Sequence, residues 1–248
     1  MAAELSISQM DEITRFISEK FGDDEGHILH ELYSDYVHTD AIILKNKTGG
    51  HTIVTFGMSS CGIKSPIDYY NHIELVIEAS GRFDMKSKNG MLIANELVGL
   101  TKYPFRNNTW FGEGHTVLAS KAFRETFGYD AFLLEDVQSF AEIDGIGTVS
   151  FLSLIPIYKE EREWMMEYDS LIYLGLLKRI YGENIYCADV KRDLYIPSED
   201  DLQLGILTRL LKIDLKTAEE LIAYADSKGT ELTYESIDEW FKLNKADK

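Results

Sequence analysis

The sequence predicts an α+β fold: a mixed β-sheet flanked by helices, followed by an all-helical C-terminal segment. Three observations predict it. Apolar runs of strand length, rich in β-branched residues, come singly or in pairs between helical patterns, without strict βαβ alternation. One run, TVSFLSLIPIY at residues 148–158, is apolar almost throughout, as suits a central strand covered on both faces. Beyond Tyr195-Ile196-Pro197-Ser198-Glu199 only helical periodicity remains. The expected division is an α+β domain over residues 1–196 and a helical extension over residues 197–248. Three short helices are marginal alone, so the extension is expected to dock on the main domain.

The elements follow in order. Ser6 or Ser8 caps a first helix whose Ile7, Met10, Ile13, Phe16, Ile17 and Phe21 share a face, and Gly22 ends it. Two apolar runs, 41–44 and 53–56, flank the turn-forming stretch 45–50. Its Gly49-Gly50 pair permits positive φ, so residues 38–59 read as a β-hairpin. The second strand runs out into Gly57-Met58-Ser59-Ser60-Cys61-Gly62, small enough to turn. Residues 71–79 alternate, with Ile73, Leu75 and Ile77 on one face and His72, Glu74, Val76 and Glu78 on a largely polar one. Residues 91–103 read as a helix stopped by Pro104, with Leu92, Ala94, Leu97 and Val98 inward. A loop at 107–114 carries Trp110 and Phe111, and short strands are expected at 115–120 and 131–134. Pro156 marks where pairing of the 148–158 strand should stop. Helices are expected at 160–166, 169–181, 200–211, 215–227 and 234–243. Ser198 and Asp214 serve as caps and Gly229 as a breaker.

Composition narrows the function. Lys+Arg 25 against Asp+Glu 42 gives a net charge of −17. That field repels nucleic acid and anionic membranes and attracts cationic partners. The acidity is concentrated in residues 1–40, where ten carboxylates face two basic side chains. Cys61 and Cys187 are the only cysteines. Two thiols with no secretory leader fit a reducing compartment, and no stretch reaches the ~18–20 apolar residues that span a bilayer. The expected location is the cytoplasm.

Catalytic patterns are near-misses. Gly57-Met58-Ser59-Ser60-Cys61 follows a strand as a nucleophile elbow would, but Cys61 replaces the second glycine and Gly62-Ile63-Lys64-Ser65-Pro66 is a poor helix start. His27, His30 and Glu31, followed by His38 and Asp40, have donor chemistry for a metal; on a helix His27 and Glu31 would share a face. No cysteine or second close pair completes the set. Glu74 and Glu78 lie ~13 Å apart on a strand, too far for a glycosidase pair. The Gly145-Ile146-Gly147 stretch lacks the six-position glycine pattern of a dinucleotide site. No cofactor or metal is implied. A hydrolase using Ser59, or a metal-dependent enzyme using the His27, His30, His38 and Asp40 group, stands as the alternative to a binding protein. Trp110 and Phe111 are candidate anchors for a partner, and equally candidates for the core.

An ordered set of segments resembles the suppressor of fused domain family. Val37-His38-Thr39-Asp40 leads into a strand, and Thr52 to Ser59 forms a second strand ending in Thr55-Phe56-Gly57-Met58-Ser59. Glu74-Leu75 follows, then Trp110 with Gly114-His115-Thr116-Val117, then Phe151 to Ile157 before Glu160-Glu161. The resemblance covers roughly residues 27–190 and has no counterpart from Pro197 onward. It implies a non-enzymatic domain that binds protein. Animal members sequester a transcription factor by adding its extended peptide to a strand edge; stand-alone bacterial members resemble immunity proteins that neutralise polymorphic toxins. The acidity suits a basic toxin domain as partner. The resemblance places His38, Asp40, Thr55, Gly57, Met58, Ser59, Glu74, Trp110 and His115 at motif positions, as binding residues or as internal fasteners of the strand ends.

Overall fold

The computed structural model describes residues 5–32, 34–47, 49–81, 84–229 and 232–245 of the chain, with residues 23–26, 234 and 245 described by backbone alone. Thr48 of the predicted turn lies outside them.

Among the described residues the strands form one mixed sheet. They are β1 (Asp23–Leu29), β2 (Asp40–Lys45), β3 (His51–Phe56), β4 (His72–Ala79), β5 (Thr116–Leu118), β6 (Ala131–Ile143) and β7 (Gly147–Ile157), in the spatial order β1-β2-β3-β4-β7-β6-β5. β2 and β3 are the predicted hairpin, antiparallel with Ala41 opposite Thr55 and Lys45 opposite His51. Its turn closes through Asn46, whose N–H donates to the Gly50 carbonyl at 2.9 Å and whose Oδ1 accepts from the Gly50 N–H at 2.7 Å. Gly49 takes φ +83° there, the freedom the Gly-Gly pair was expected to supply. β4 runs antiparallel to β3 and parallel to β7, and that parallel step makes the sheet mixed.

Both faces of the sheet are covered. Ile73, Leu75 and Ile77 join Ile53, Phe132 and Leu154 in a core shared with Ile93, Ala94 and Leu97 of α2 (Lys88–Leu100) and Phe123 of α4 (Lys121–Phe127). Ile42, Leu44, Val54, Val76 and Phe151 form the opposite core with Ile13 and Ile17 of α1 (Ile7–Phe21). Phe16 stacks on Phe151 with ring centroids 5.1 Å apart. Ser6 caps α1 in a reciprocal capping box with Gln9, and Gly22 ends it. Because α1 lies on it, the largely polar β4 face carrying Glu74 and Val76 is interior at those two positions.

Other differences have local causes. β1 was not expected; its acidic Asp-Asp-Glu-Gly start hides a strand that pairs with β2 across a bulge at Asp24/His27. β6 runs to Ile143, well beyond Leu134, because it follows the long β7 as a hairpin with its own irregularity between Asp136 and Phe140. Pairing also continues through Pro156, which lies opposite Phe132. The register of β7 to β4 ends at Ser153, so beyond it the missing proline N–H leaves no β4 ladder bond unmade. Pro104, predicted to stop a helix, instead starts a short one, α3 (Tyr103–Asn107), where a proline near the first position costs nothing.

The chain separates into two compact units: residues 1–170 with 181–194, and residues 171–180 with 195–248. The first holds the sheet and α5 (Lys159–Glu167). The second holds most of α6 (Ser170–Tyr181) together with α7 (Glu199–Leu211), α8 (Leu215–Lys228) and α9 (Tyr234–Lys245). Its core is Leu176, Leu204, Leu207 and Ala218, and the Gly205 backbone lies so close to Ile172 that a Cβ would come within 2.4 Å of it. Ser198 and Asp214 cap α7 and α8, and Gly229 ends α8 at φ +63°. No helix among the described residues is long and apolar enough to cross a membrane.

Candidate functional site

The motif residues converge on Glu74. It sits within β4 with no exposed surface, and donors from Thr55, Gly57 and Ser59 converge on it. Thr55 Oγ1, from the end of β3, donates to Oε2 at 2.6 Å. The Gly57 N–H donates to Oε1 at 2.9 Å, the Ser59 N–H at 3.0 Å and Ser59 Oγ at 2.7 Å. Thr55 Oγ1 also accepts from the Leu75 N–H at 2.7 Å, so one hydroxyl bridges two strands. The chain can wrap the carboxylate this way because Gly57 takes φ +112° and Met58–Ser60 form a single 3₁₀ turn. A Cβ on Gly57 would stand 2.6 Å from the His38 carbonyl oxygen, so glycine is required by conformation and by space. Burial pushes the Glu74 carboxyl above the ordinary range, against four donors that pull it down.

This arrangement fastens strands. Ser59 Oγ is fully buried with its proton directed at Glu74, and His72 Nδ1 bonds the Ser59 carbonyl oxygen at 2.7 Å instead of the hydroxyl. A substrate has no approach to that oxygen, and the elbow reading of Ser59 loses its nucleophile. Met58 is likewise fully buried, in the core beneath α2.

Asp40 organises a second knot at the start of β2. Its Oδ2 lies 2.9 Å from His30 Nδ1, its Oδ1 accepts from the Glu31 N–H at 3.0 Å, and His38 Nε2 stands 3.2 Å from Oδ1. His30 and His38 remain largely exposed. Beneath them Lys102, only 4% exposed, donates to Glu31 Oε2 at 2.7 Å and to the Val37 carbonyl, while the Thr39 N–H donates to the same Glu31 oxygen at 3.0 Å. His27 is elsewhere, on β1 opposite Ile43, so no helix brings it beside Glu31. Among the described residues no group of three or more His, Cys, Asp or Glu is placed to hold a metal ion.

Trp110 and His115 meet edge to face at 4.3 Å, and Trp110 stacks on Tyr70 at 6.2 Å. Phe111 is buried in the core and Trp110 partly so. Burial holds the His115 imidazole below its ordinary pKa. Sequence reasoning brought together Thr55, Gly57, Ser59 and Glu74. It missed Lys102 with Glu31, and it missed a buried fork in which Arg192 grips both carboxylate oxygens of Glu161 and donates to the Pro156 carbonyl at 3.1 Å. Tyr129, Tyr158 and Tyr181 surround that guanidinium at 5.3 to 5.9 Å. Lys102, a cation inside an otherwise apolar stretch, carries a local signal, whereas Arg192 lies among Asp189, Lys191 and Asp193 and carries none; the partners lie 71 and 31 positions away.

A sequence model of the family described as Suppressor of fused protein (SUFU) matches residues 35–193, which contain the Glu74 knot and the Arg192 fork, and His38, Asp40 and Lys102 of the second knot but not its His30 and Glu31. Solved structures with a similar fold include one from the Sufu–Fu complex, at 12% identity and TM-score 0.53, covering 78% of this chain and 93% of that one. Drosophila Suppressor of Fused matches at 13% identity and TM-score 0.55, with 83% of this chain against 54% of that longer one. A SUFU homolog from Neisseria gonorrhoeae matches at 13% identity and TM-score 0.53, covering 77% and 96%. No curated protein matches the chain.

Proposed function

The chain belongs to the suppressor of fused family, and we propose that it acts as a non-catalytic, cytoplasmic protein-binding domain, an immunity protein that neutralises a basic toxin. The observation that carries the non-catalytic part is the closure of the Glu74 knot. Thr55, Gly57 and Ser59 spend their donors on one buried carboxylate, so the motif secures the sheet and leaves recognition to the surface. The net charge of −17 supports a cationic partner, since complementary fields speed encounter and disfavour wrong partners. The Neisseria homolog, 96% of which is matched by 77% of this chain, supports the compact bacterial type. A second reading, sequestration of some other intracellular protein, is favoured by the likeness to a family member crystallised in a complex with Fu.

The test is co-expression with the product of the neighbouring gene, scored by pull-down of the full chain and by rescue of growth. Salt-sensitive binding with restored growth is the expected result. Binding without rescue points to the sequestering reading, and neither binding nor rescue overturns the immunity assignment.

A further inference from the structure

His72 has one nitrogen on the Ser59 carbonyl and a ring edge on a separate feature. It lines an open recess of about 430 Å³ together with Asp68, Tyr69, Asn71, Ile146 and Thr148. No lysine or arginine is among these lining residues, and the Asp68 carboxylate is exposed. Beside the recess, β6 carries extra residues between Asp136 and Phe140, and Gln138 adopts φ +51°, a left-handed conformation that costs a non-glycine residue free energy. That irregularity leaves Phe140 half exposed and edge-on to Tyr69 at 5.9 Å. Asp136 meanwhile turns inward to accept from the Tyr70 hydroxyl at 3.0 Å. Thr148, another lining residue, donates its hydroxyl to Glu142 at 2.6 Å, which brings a second carboxylate next to the recess.

We propose that this recess receives the side chain of an arginine or lysine presented by a basic partner protein, with the aliphatic stem against Tyr69 and Phe140 and the charge between Asp68 and Glu142. Aromatic faces and edges next to carboxylates suit such a side chain, whose stem is apolar and whose head is cationic. A neutral apolar anchor would leave Asp68 desolvated without compensation, and an anionic one would meet both carboxylates. The proposal rests on the protein-binding reading above and gives it a location.

The probe is N-acetyl-arginine amide titrated into the isotope-labelled full chain, with N-acetyl-citrulline amide as the uncharged isostere. Shift changes are expected at Tyr69, His72, Phe140 and Thr148, with little response to citrulline. Phe140→Ala and Asp68→Asn should each weaken the arginine response about two- to fivefold, Asp68→Asn without lowering the melting temperature because that side chain is exposed, and Phe140→Ala with at most a small loss from its contact with Tyr69. Equal responses to the two probes, or a response spread over the carboxylates of α1 that survives both substitutions, would overturn the recess. The same variants in the growth assay separate the two claims. Protection that persists without the probe site removes the recess and spares the function; a working probe site with no protein partner does the opposite.

Discussion

Glu74 and Glu78 sit on the same face of the same strand, two pleat repeats apart, and the protein treats them in opposite ways. Glu74 is sealed and surrounded by four donors from Thr55, Gly57 and Ser59. Glu78 is partly buried beside Cys187, with which it forms an isolated parallel bridge, and faces Glu183. Burial, with the Glu183 charge behind it, raises its pKa to about 7. The contrast teaches that burial of a carboxylate is a fastening only where donors converge on it; elsewhere it is a liability that pH can modulate.

The largest test of this contrast is Glu74→Gln. Glutamine keeps the shape but cannot accept from three donors at one oxygen while presenting an amide N–H₂ on the other side. A loss on the order of 3–5 kcal/mol is expected, read from urea unfolding of the full chain; a loss below ~1 kcal/mol would mean the knot holds nothing together. Gly57→Ala comes next. Its Cβ would stand 2.6 Å from the His38 oxygen at a positive φ, so about 1–3 kcal/mol is expected from steric strain. Asp40→Ala should cost less, about 1–2 kcal/mol, because the imidazoles it frees are exposed to water. Its effect on partner binding should follow the folded fraction measured alongside. Full stability with lost binding would instead make the His30, His38 and Asp40 knot part of the interface.

Glu78→Gln should have the smallest effect and the opposite sign. The folded pKa of about 7 lies above the ordinary 4.5, so the folded state binds more protons between those values. Its contribution is therefore present below about 4.5 and lost as pH rises to about 7. Glutamine should flatten that slope and raise the melting temperature at pH 8 by a few degrees or less. An unchanged pH profile would show that Glu78 does not carry that proton.

Much of the fold was legible because it is local. The hairpin followed from two β-branched runs around Gly49-Gly50, the caps of α1, α7 and α8 from Ser6, Ser198 and Asp214, and β7 from its unbroken apolar run. β1 was illegible because its first residues are acidic and glycine-bearing, and only pairing with β2 makes them a strand. Among candidate site residues, Thr55, Gly57, Ser59 and Glu74 were picked out together through the family motif, but nothing in the spacing said that they bond one another. The burial of the largely polar side of β4 was not legible for a related reason. Alternation tells two faces apart, yet it does not tell which of them a helix will cover.

The sequence by itself determined most strands and helices, though not β1, α3 or α4, together with the caps, the acidic character and the family, since each rests on neighbouring residues or ordered motifs. Tertiary structure alone decided that Glu74 is an interior hub, that Lys102 finds Glu31, that Arg192 grips Glu161, and that Tyr69 and Phe140 flank an open recess. These pairings join positions 15 to 71 residues apart. A buried charge looks the same in sequence whether or not its partner arrives, and only the fold brings the partner.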